Sequence, residues 1–267
     1  MQRTHAQIPD SLPDTFGFRT GKKGVHNSRT LMFEDLELLL SELPADASND
    51  DYRRAIREEN VLAKNTDSTR HYVGQRLSQL YGLDADIPLF RIFRAYWERD
   101  EQGRRMLALL LALARDPILR MTAPPILEME RGEPFDKPRL QTVIAEEAGD
   151  RFNETSVKKI SRMTASSWTQ SGHLAGHRKK TRAQPAISAP STAYALVLGV
   201  LCGVRGELLF DTFWAQVLDA PEHELHDQAQ AASRRGLLTY RNAGGIIEVD
   251  ASPVLTPSEM EQLHEQN

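Results

Sequence analysis

A chain of 267 residues, 40% hydrophobic and 26% charged with a net charge of −4, has enough apolar material for two compact domains or one large one. Its lone cysteine, Cys202, excludes an internal disulfide framework; flanked by Leu201 and Gly203, it lacks the cationic setting of a reactive thiolate and reads as a small buried hydrophobe. No signal-peptide core opens the chain, and its most apolar stretches, Met106–Ala114 and Ala193–Cys202, are too short to span a bilayer, so a cytoplasmic protein without a membrane partner is expected.

Residues 1–28 are polar and broken by Pro9, Pro13, Gly17, Gly21 and Gly24, the composition of a flexible arm, whose basic tip (Arg19, Lys22, Lys23) offers charge to a phosphate. Leu31, Leu36, Leu39, Leu40 and Leu43 then form an amphipathic helix that Pro44 stops. A second helix, Asp51–Asn60, is capped by Asn49 or Asp50, and a third runs from Asp67 or Ser68 to Tyr81, ended by Gly82. Further helices are predicted at about 87–99, 102–115, 117–130, 138–148 and 154–170, with Pro88, Pro117 and Pro138 at first-turn positions. Residues 172–190 shift to Gly, His, Lys, Arg, Pro and Ser and read as a basic loop or wing. The last part, 191–267, has its own order: helices over Ser191–Cys202, Glu207–Leu218 and Pro221–Arg235, strands Leu237–Arg241 and Ile246–Asp250 around Asn242–Gly245, and a final helix near Ser258–Glu265. Three helices followed by a hairpin is the order of a winged helix. The fold class expected is therefore mainly α: a multi-helical domain over 29–171 with a helix-turn-helix-like unit, then a winged-helix domain.

Charge is distributed unevenly along the chain. From Thr155 to Gly206 there is no Asp or Glu, whereas Glu207–Asp227 has acids and no Lys or Arg. Within the basic block, Val157, Ile160, Thr164 and Trp168 mark the inward stripe of a helix, which leaves Lys158, Lys159, Arg162, Ser166 and Thr169 outward. Arg178, Lys179, Lys180 and Arg182 follow; cations that meet phosphates release counterions and bind in a salt-dependent way. A second candidate surface is the helix ending at Tyr81. Val73, Leu77, Leu80 and Tyr81 form its apolar back. Ser68 and Thr69 stand at its N-terminus, with Lys64 just before it, and His71, Gln75, Arg70 and Arg76 lie on its front and flanks. An amide and hydroxyl front with guanidinium edges suits a helix lying in a major groove, although a solvated amphipathic helix has the same pattern.

Enzymatic signatures are weak. His223–Glu224–Leu225–His226 lacks the four-residue spacing of a zinc helix, Gly21–Lys22–Lys23–Gly24 is not a phosphate loop, and no nucleophile-elbow pattern is present. Glu248 and Asp250 alternate on a strand without a following lysine, as on a solvated hairpin. No cofactor is expected. The third helix of the winged unit carries Glu222, Glu224 and Asp227, which phosphate would repel, so a protein contact or a homodimer fits that unit better than groove reading.

The stretches Arg29–Leu43, Tyr52–Tyr81 (above all Glu58–Leu62 and Lys64–Arg70), Leu107–Leu119 and Val157–Arg162 resemble the BrxA family, a helical component of bacterial BREX phage-defence systems. The resemblance implies a helical protein without a recognised catalytic site that binds double-stranded DNA; a likeness of that fold to RNA-binding antitermination factors keeps RNA open as a ligand. This chain is longer, with its N-terminal arm, the run Ser167–Leu174 and the winged unit. The function expected is that of a non-enzymatic DNA-binding component of a phage-defence system, with other proteins of that system as partners. The alternatives are a protein-only scaffold or adaptor and a winged-helix regulator of the defence operon.

Overall fold

Most helices begin where a short polar side chain takes up an orphaned backbone N–H. The computed structural model describes residues 13–265. In it, α1 (Phe33–Glu42) leads to α2 (Asn49–Arg57), whose N-cap Ser48 forms a reciprocal box with Asp51. Thr66 caps α3 (Asp67–Tyr81), which Gly82 ends at φ 100°. Then come α4 (Pro88–Trp97), α5 (Arg104–Arg115), α6 (Pro117–Arg120, capped by Asp116) and α7 (Ala123–Leu127). Asp136 caps α8 (Lys137–Ala148) and Asn153 caps α9 (Glu154–Gln170). A small antiparallel pair, β1 (Leu174–Ala175) and β2 (Thr181–Arg182), precedes α10 (Ala189–Leu201), which Ser188 caps. The chain ends with α11 (Phe213–Val217), α12 (Glu222–Arg234), the hairpin β3 (Thr239–Ala243) and β4 (Ile246–Asp250), and α13 (Pro257–Glu265). The protein is mainly helical: among the described residues the only sheets are these two strand pairs. None of their helices is long and apolar enough to cross a membrane.

Four expectations change at the level of local structure. The second helix is capped by Ser48, with Asn49 and Asp50, the expected caps, already in its first turn, and it ends at Arg57, before the expected Asn60. The helix predicted over 117–130 divides into α6 and α7, with the second piece opening on Pro124–Pro125, which cannot donate to a continuing ladder. The helix predicted over Glu207–Leu218 divides into a 3-10 turn, Gly206–Asp211, and α11, because Thr212 leaves helical geometry to cap the second piece. The flexible arm expected over 1–28 is, from Pro13 onward, part of the packed structure: Phe16, Phe18, Val25 and His26 are buried. Residues 1–12 lie outside the described part.

The two most apolar runs become the central helices. Met106–Ala114 of α5 and the whole of α10 are buried on every side, as an all-round hydrophobic helix requires. α10 packs on α4 and α5, and Tyr194 Oη donates to Leu89 O at 3.0 Å while Tyr96 Oη donates to Leu237 O at 2.5 Å. One hydrophobic cluster therefore runs from Phe16 to Leu263, across the stretch 172–190 that the sequence suggested as a divide between 29–171 and 191–267.

Asp116, between α5 and α6, holds these parts to the N-terminal segment. Its Oδ1 accepts Ile118 N–H and Leu119 N–H at 2.9 and 3.1 Å; its Oδ2 accepts Val25 N–H, His26 N–H and His26 Nδ1–H at 2.6, 3.1 and 2.8 Å. The other ring nitrogen, Nε2, meets Ser167 Oγ of α9 at 2.8 Å, and that hydroxyl also accepts Leu31 N–H at 2.8 Å. Burial alone would raise the Asp116 carboxyl, but the His26 imidazole and the backbone N–H groups outweigh it and hold the carboxyl below its ordinary 3.8. Asp116→Asn presents one oxygen to two sets of donors and should cost about 3–5 kcal/mol, read as a lower denaturation midpoint. Because the folded value is depressed, the native carboxylate contributes fully above 3.8 and less as pH falls below it. The stability gap between wild type and Asp116→Asn should therefore hold above pH 3.8 and narrow as the pH is lowered below it.

Candidate nucleic-acid interface

Residues three and four apart on a helix share a face, and this places Tyr72, Arg76 and Gln79 together on α3. Tyr72 Oη donates to Ser28 Oγ at 3.0 Å, and the guanidinium groups of Arg29 and Arg76 stand 4.8 and 4.7 Å from the Tyr72 ring. The Ser28 hydrogen bond and the two cations hold the Tyr72 phenol below its ordinary value of 10.0. The ring's negative face orients both arginines without neutralising them. On the other side, α9 directs Val157, Ile160, Thr164 and Trp168 into the core, as its stripe predicts, and leaves Lys159 and Arg162 exposed. Between the helices, Asn27 and Ser28 form the floor of a groove of about 310 Å³ walled by Arg76 and by Ser156 and Lys159. A larger pocket of about 790 Å³ adjoins it, sharing Asn27 and Arg76 and adding Arg19, Lys22 and Lys23. None of Arg19, Lys22, Lys23, Arg29, Arg76, Lys159 and Arg162 has an ion-pair partner among the described residues.

The predicted site residues separate into groups. Arg76 and Lys159 meet in the groove, and Arg162 and half-buried Ser166 continue the same face of α9. Ser68, His71 and Gln75 are exposed along α3. Lys64 is held by Asp35 at 2.7 Å, Lys158 pairs with Glu154, and half-buried Arg70 lies 3.9 Å from Asp67, so these cations are partly spent within the protein. The Thr69 hydroxyl pairs with that of Thr66 at 2.8 Å in the α3 cap. Thr169 donates to Ala165 O at 2.8 Å and accepts Lys180 Nζ at 2.7 Å, which fixes Lys180 at the far end of α9, about 15 Å along the helix from Lys159. Arg178 and Lys179 are exposed in the turn between β1 and β2.

Arg182 is a correction. Successive residues of a strand face opposite ways, so Thr181 points out and Arg182 points in, where it is 2% exposed and cannot meet a phosphate. It pairs instead with buried Asp219 at 2.9 Å and donates from Nε to Ile126 O at 2.9 Å. The stretch 172–190 is thus an ordered hairpin: Gly132 N–H donates to Arg182 O, and Phe135 N–H to Lys180 O, both at 2.9 Å. Buried His173 beside it is pushed down to about 3 by burial and the Arg182 charge, so it is neutral at ordinary pH and spans Ser171 Oγ and Val217 O.

Sequence reasoning missed two features. Ser167, His26 and Asp116 stand in the hydrogen-bonding order of a serine-hydrolase triad. All three are fully buried, and Ser167 Oγ is occupied by Leu31 N–H and by Met163 O at 3.1 Å, so the arrangement is a structural clasp. The groove floor was the second: residues 25–31 carry no periodic signal, and their partners lie 90 or more positions away. His226, in the short His–Glu–Leu–His run, meets Tyr240 Oη at 3.0 Å and packs on the Phe210 ring.

No protein-family model, no curated protein and no solved structure matches the chain.

The inward and outward cations of the hairpin should behave differently. Arg182→Ala leaves Asp219 buried without its cation and should lower stability by about 3–5 kcal/mol in denaturant titration. The double change Arg178→Ala, Lys179→Ala at exposed sites should stay within about 0.5 kcal/mol per site of wild type. Equal losses in both proteins would refute the inward placement of Arg182.

Proposed function

We propose that this chain is a non-enzymatic DNA-binding protein that holds a duplex by its phosphate backbone along the groove between α3 and α9. The observation that carries the reading is the row of cations, half-buried Arg29 and Arg76 and exposed Lys159 and Arg162, that have no carboxylate partners among the described residues. The neutral Tyr72 ring orients Arg29 and Arg76, and Lys159 and Arg162 are exposed on α9, so their charge remains available to an anion. Ser166 and, across α3, His71 and Gln75 add donors suited to sugar and phosphate contacts, which position a protein without reading sequence. Lys180, Arg178 and Lys179 extend the cationic surface beyond the C-terminal end of α9. The helix pair α2–α3 serves as the helix-turn-helix-like element, and the resemblance to BrxA supports a place in a phage-defence system of the BREX type.

The unit built from α10, α11, α12, β3 and β4 is read as a winged helix that turns to a protein. Glu222 and Asp227 are exposed on α12, as is Ile246 at the tip of the hairpin, a surface ill-suited to phosphate. Its partner would be another defence protein or a second copy of this chain.

The test is binding to an arbitrary duplex across a salt series, with Arg76→Ala, Lys159→Ala and Arg162→Ala singly and together. Binding should weaken linearly in log–log form with salt, and each lost contact should reduce the slope by about 0.9. An RNA hairpin run in competition establishes which nucleic acid is preferred. Absence of duplex binding at low salt, or a triple variant that binds like wild type, overturns the reading.

A further inference from the structure

We propose that the pocket between residues 14–25 and the C-terminal ends of α3 and α5 is a binding site for a phosphate group, either the terminal phosphomonoester of a nucleic-acid strand or that of a free nucleotide. The pocket has a volume of about 790 Å³, within the range of small-ligand sites. Among the described residues, five cations line it, Arg19, Lys22, Lys23, Arg76 and Arg115, against one carboxylate, Asp14.

Arg115 is the informative member. It is 7% exposed, yet no carboxylate among the described residues pairs with it and its Nε meets no hydrogen-bond acceptor. Its Nη1 donates to Gly17 O at 2.5 Å, a neutral acceptor. Burial and the neighbouring Arg19 charge push Arg115 down to about 10, so it stays protonated at neutral pH in a setting that opposes its charge. A buried cation of this kind is stabilised by an anion. Gly17 and Gly82, at φ 97° and 100°, flank the guanidinium: a Cβ on Gly17 would collide with Ile87 at 2.4 Å and crowd Nη1 at 3.3 Å, and one on Gly82 would press on Ile87 at 3.3 Å.

The rim is also fixed by groups that leave charge unspent. Arg19 N–H donates to Ala114 O at 3.0 Å, Arg120 Nη2 donates to Arg19 O at 2.8 Å, and Arg19 Nη1 reaches Gln79 O at 3.3 Å. Arg151 Nη1 donates to Lys22 O at 2.8 Å from the opposite wall. The carbonyl ends of α3 and α5 lend partial negative charge that makes this crowding of cations tolerable, and among the described residues Asp14 is the one carboxylate that lines the pocket. A dianionic phosphate matches the several donors better than a single-charged carboxylate would.

This inference stands apart from the duplex reading, because the pocket lies beside the α3–α9 groove and shares only Arg76 and Asn27 with it. The experiment measures binding of adenosine 5′-monophosphate and of adenosine, and of one short duplex with 5′-phosphate or 5′-hydroxyl ends, by calorimetry at about 50 mM salt. Adenosine 5′-monophosphate should bind and adenosine should not, or the 5′-phosphorylated duplex should exceed the 5′-hydroxyl duplex by about tenfold. The first result assigns the pocket to a free nucleotide and the second to a strand end. In either case Arg19→Ala with Lys23→Ala, both exposed, and Arg115→Gln should remove the advantage, whereas Lys159→Ala with Arg162→Ala should retain it. If neither phosphorylated probe exceeds its unphosphorylated counterpart, or the Arg19–Lys23 variant keeps the advantage, the proposal fails. Binding of the 5′-hydroxyl duplex reports on the groove separately, so the two readings can fail independently.

Discussion

A carboxylate with no exposed surface must find partners for its lone pairs inside the protein, and Asp116 finds them on both sides of a chain crossing. One oxygen caps α6 and the other receives the turn at Val25 and His26. His26 passes the connection on to Ser167 of α9, whose hydroxyl takes Leu31 N–H. One buried charge thereby fixes the N-terminal segment, the junction of α5 with α6, and α9 relative to one another. The candidate groove lies on top of this network: its floor is the segment that Asp116 and Ser167 hold, and its far wall is α9. Without that floor, Arg29 would lack the anchorage that places it over Tyr72.

The same segment explains why so many arginines point at carbonyls. Arg115, Arg120 and Arg151 donate to Gly17, Arg19 and Lys22, three carbonyls of the N-terminal strap. Guanidinium groups bonded to carbonyls tie backbone together and keep their charge, whereas those bonded to carboxylates lose most of it to the pair. Arginine side chains therefore gather around the strap despite the chain's net charge of −4. Exposed Arg19, Lys22 and Lys23 add their charges at the rim.

Regular elements were legible in the sequence because their signals are local. α3 ends at Tyr81 as Gly82 indicated, and the inward stripe of α9 is the one its spacing implied. The order of three helices and a hairpin after residue 190 was readable from Pro221, Gly236 and the glycine pair at 244–245, which adopts positive φ in the turn. The strap was not legible. Phe16, Phe18 and Val25 follow no helical or strand period, and glycine and proline spacing in such a stretch looks the same whether it is loose or clasped. What decides is a carboxylate 90 positions away, which no local window contains. Three of the four cations of the candidate site, Arg76, Lys159 and Arg162, were readable as charge on a helix face, and Arg29 was not; that the two helix faces converge depended on the strap.

Arg182 shows the limit of reading function from a run of charge. Four cations in five positions suggested one surface, yet strand alternation turns a single member inward, and there it finds Asp219 from the acidic block that follows. The asymmetry between the basic block and the acidic block is thus joined at one buried point between the hairpin and the end of α11. Elsewhere Lys159, Arg162, Arg178 and Lys179 of the basic block are exposed and have no carboxylate partner among the described residues, whereas Lys158 pairs with Glu154. A charge run that served only solubility would gain nothing from an anchored hairpin. Here Lys180 is fixed on Thr169 and Arg182 is locked in the interior, so Arg178 and Lys179, which directly precede them in the turn, are displayed on an anchored support at the end of α9. Preorganised display lowers the ordering cost of binding an extended anion, which gives the basic block a physical reason to be structured.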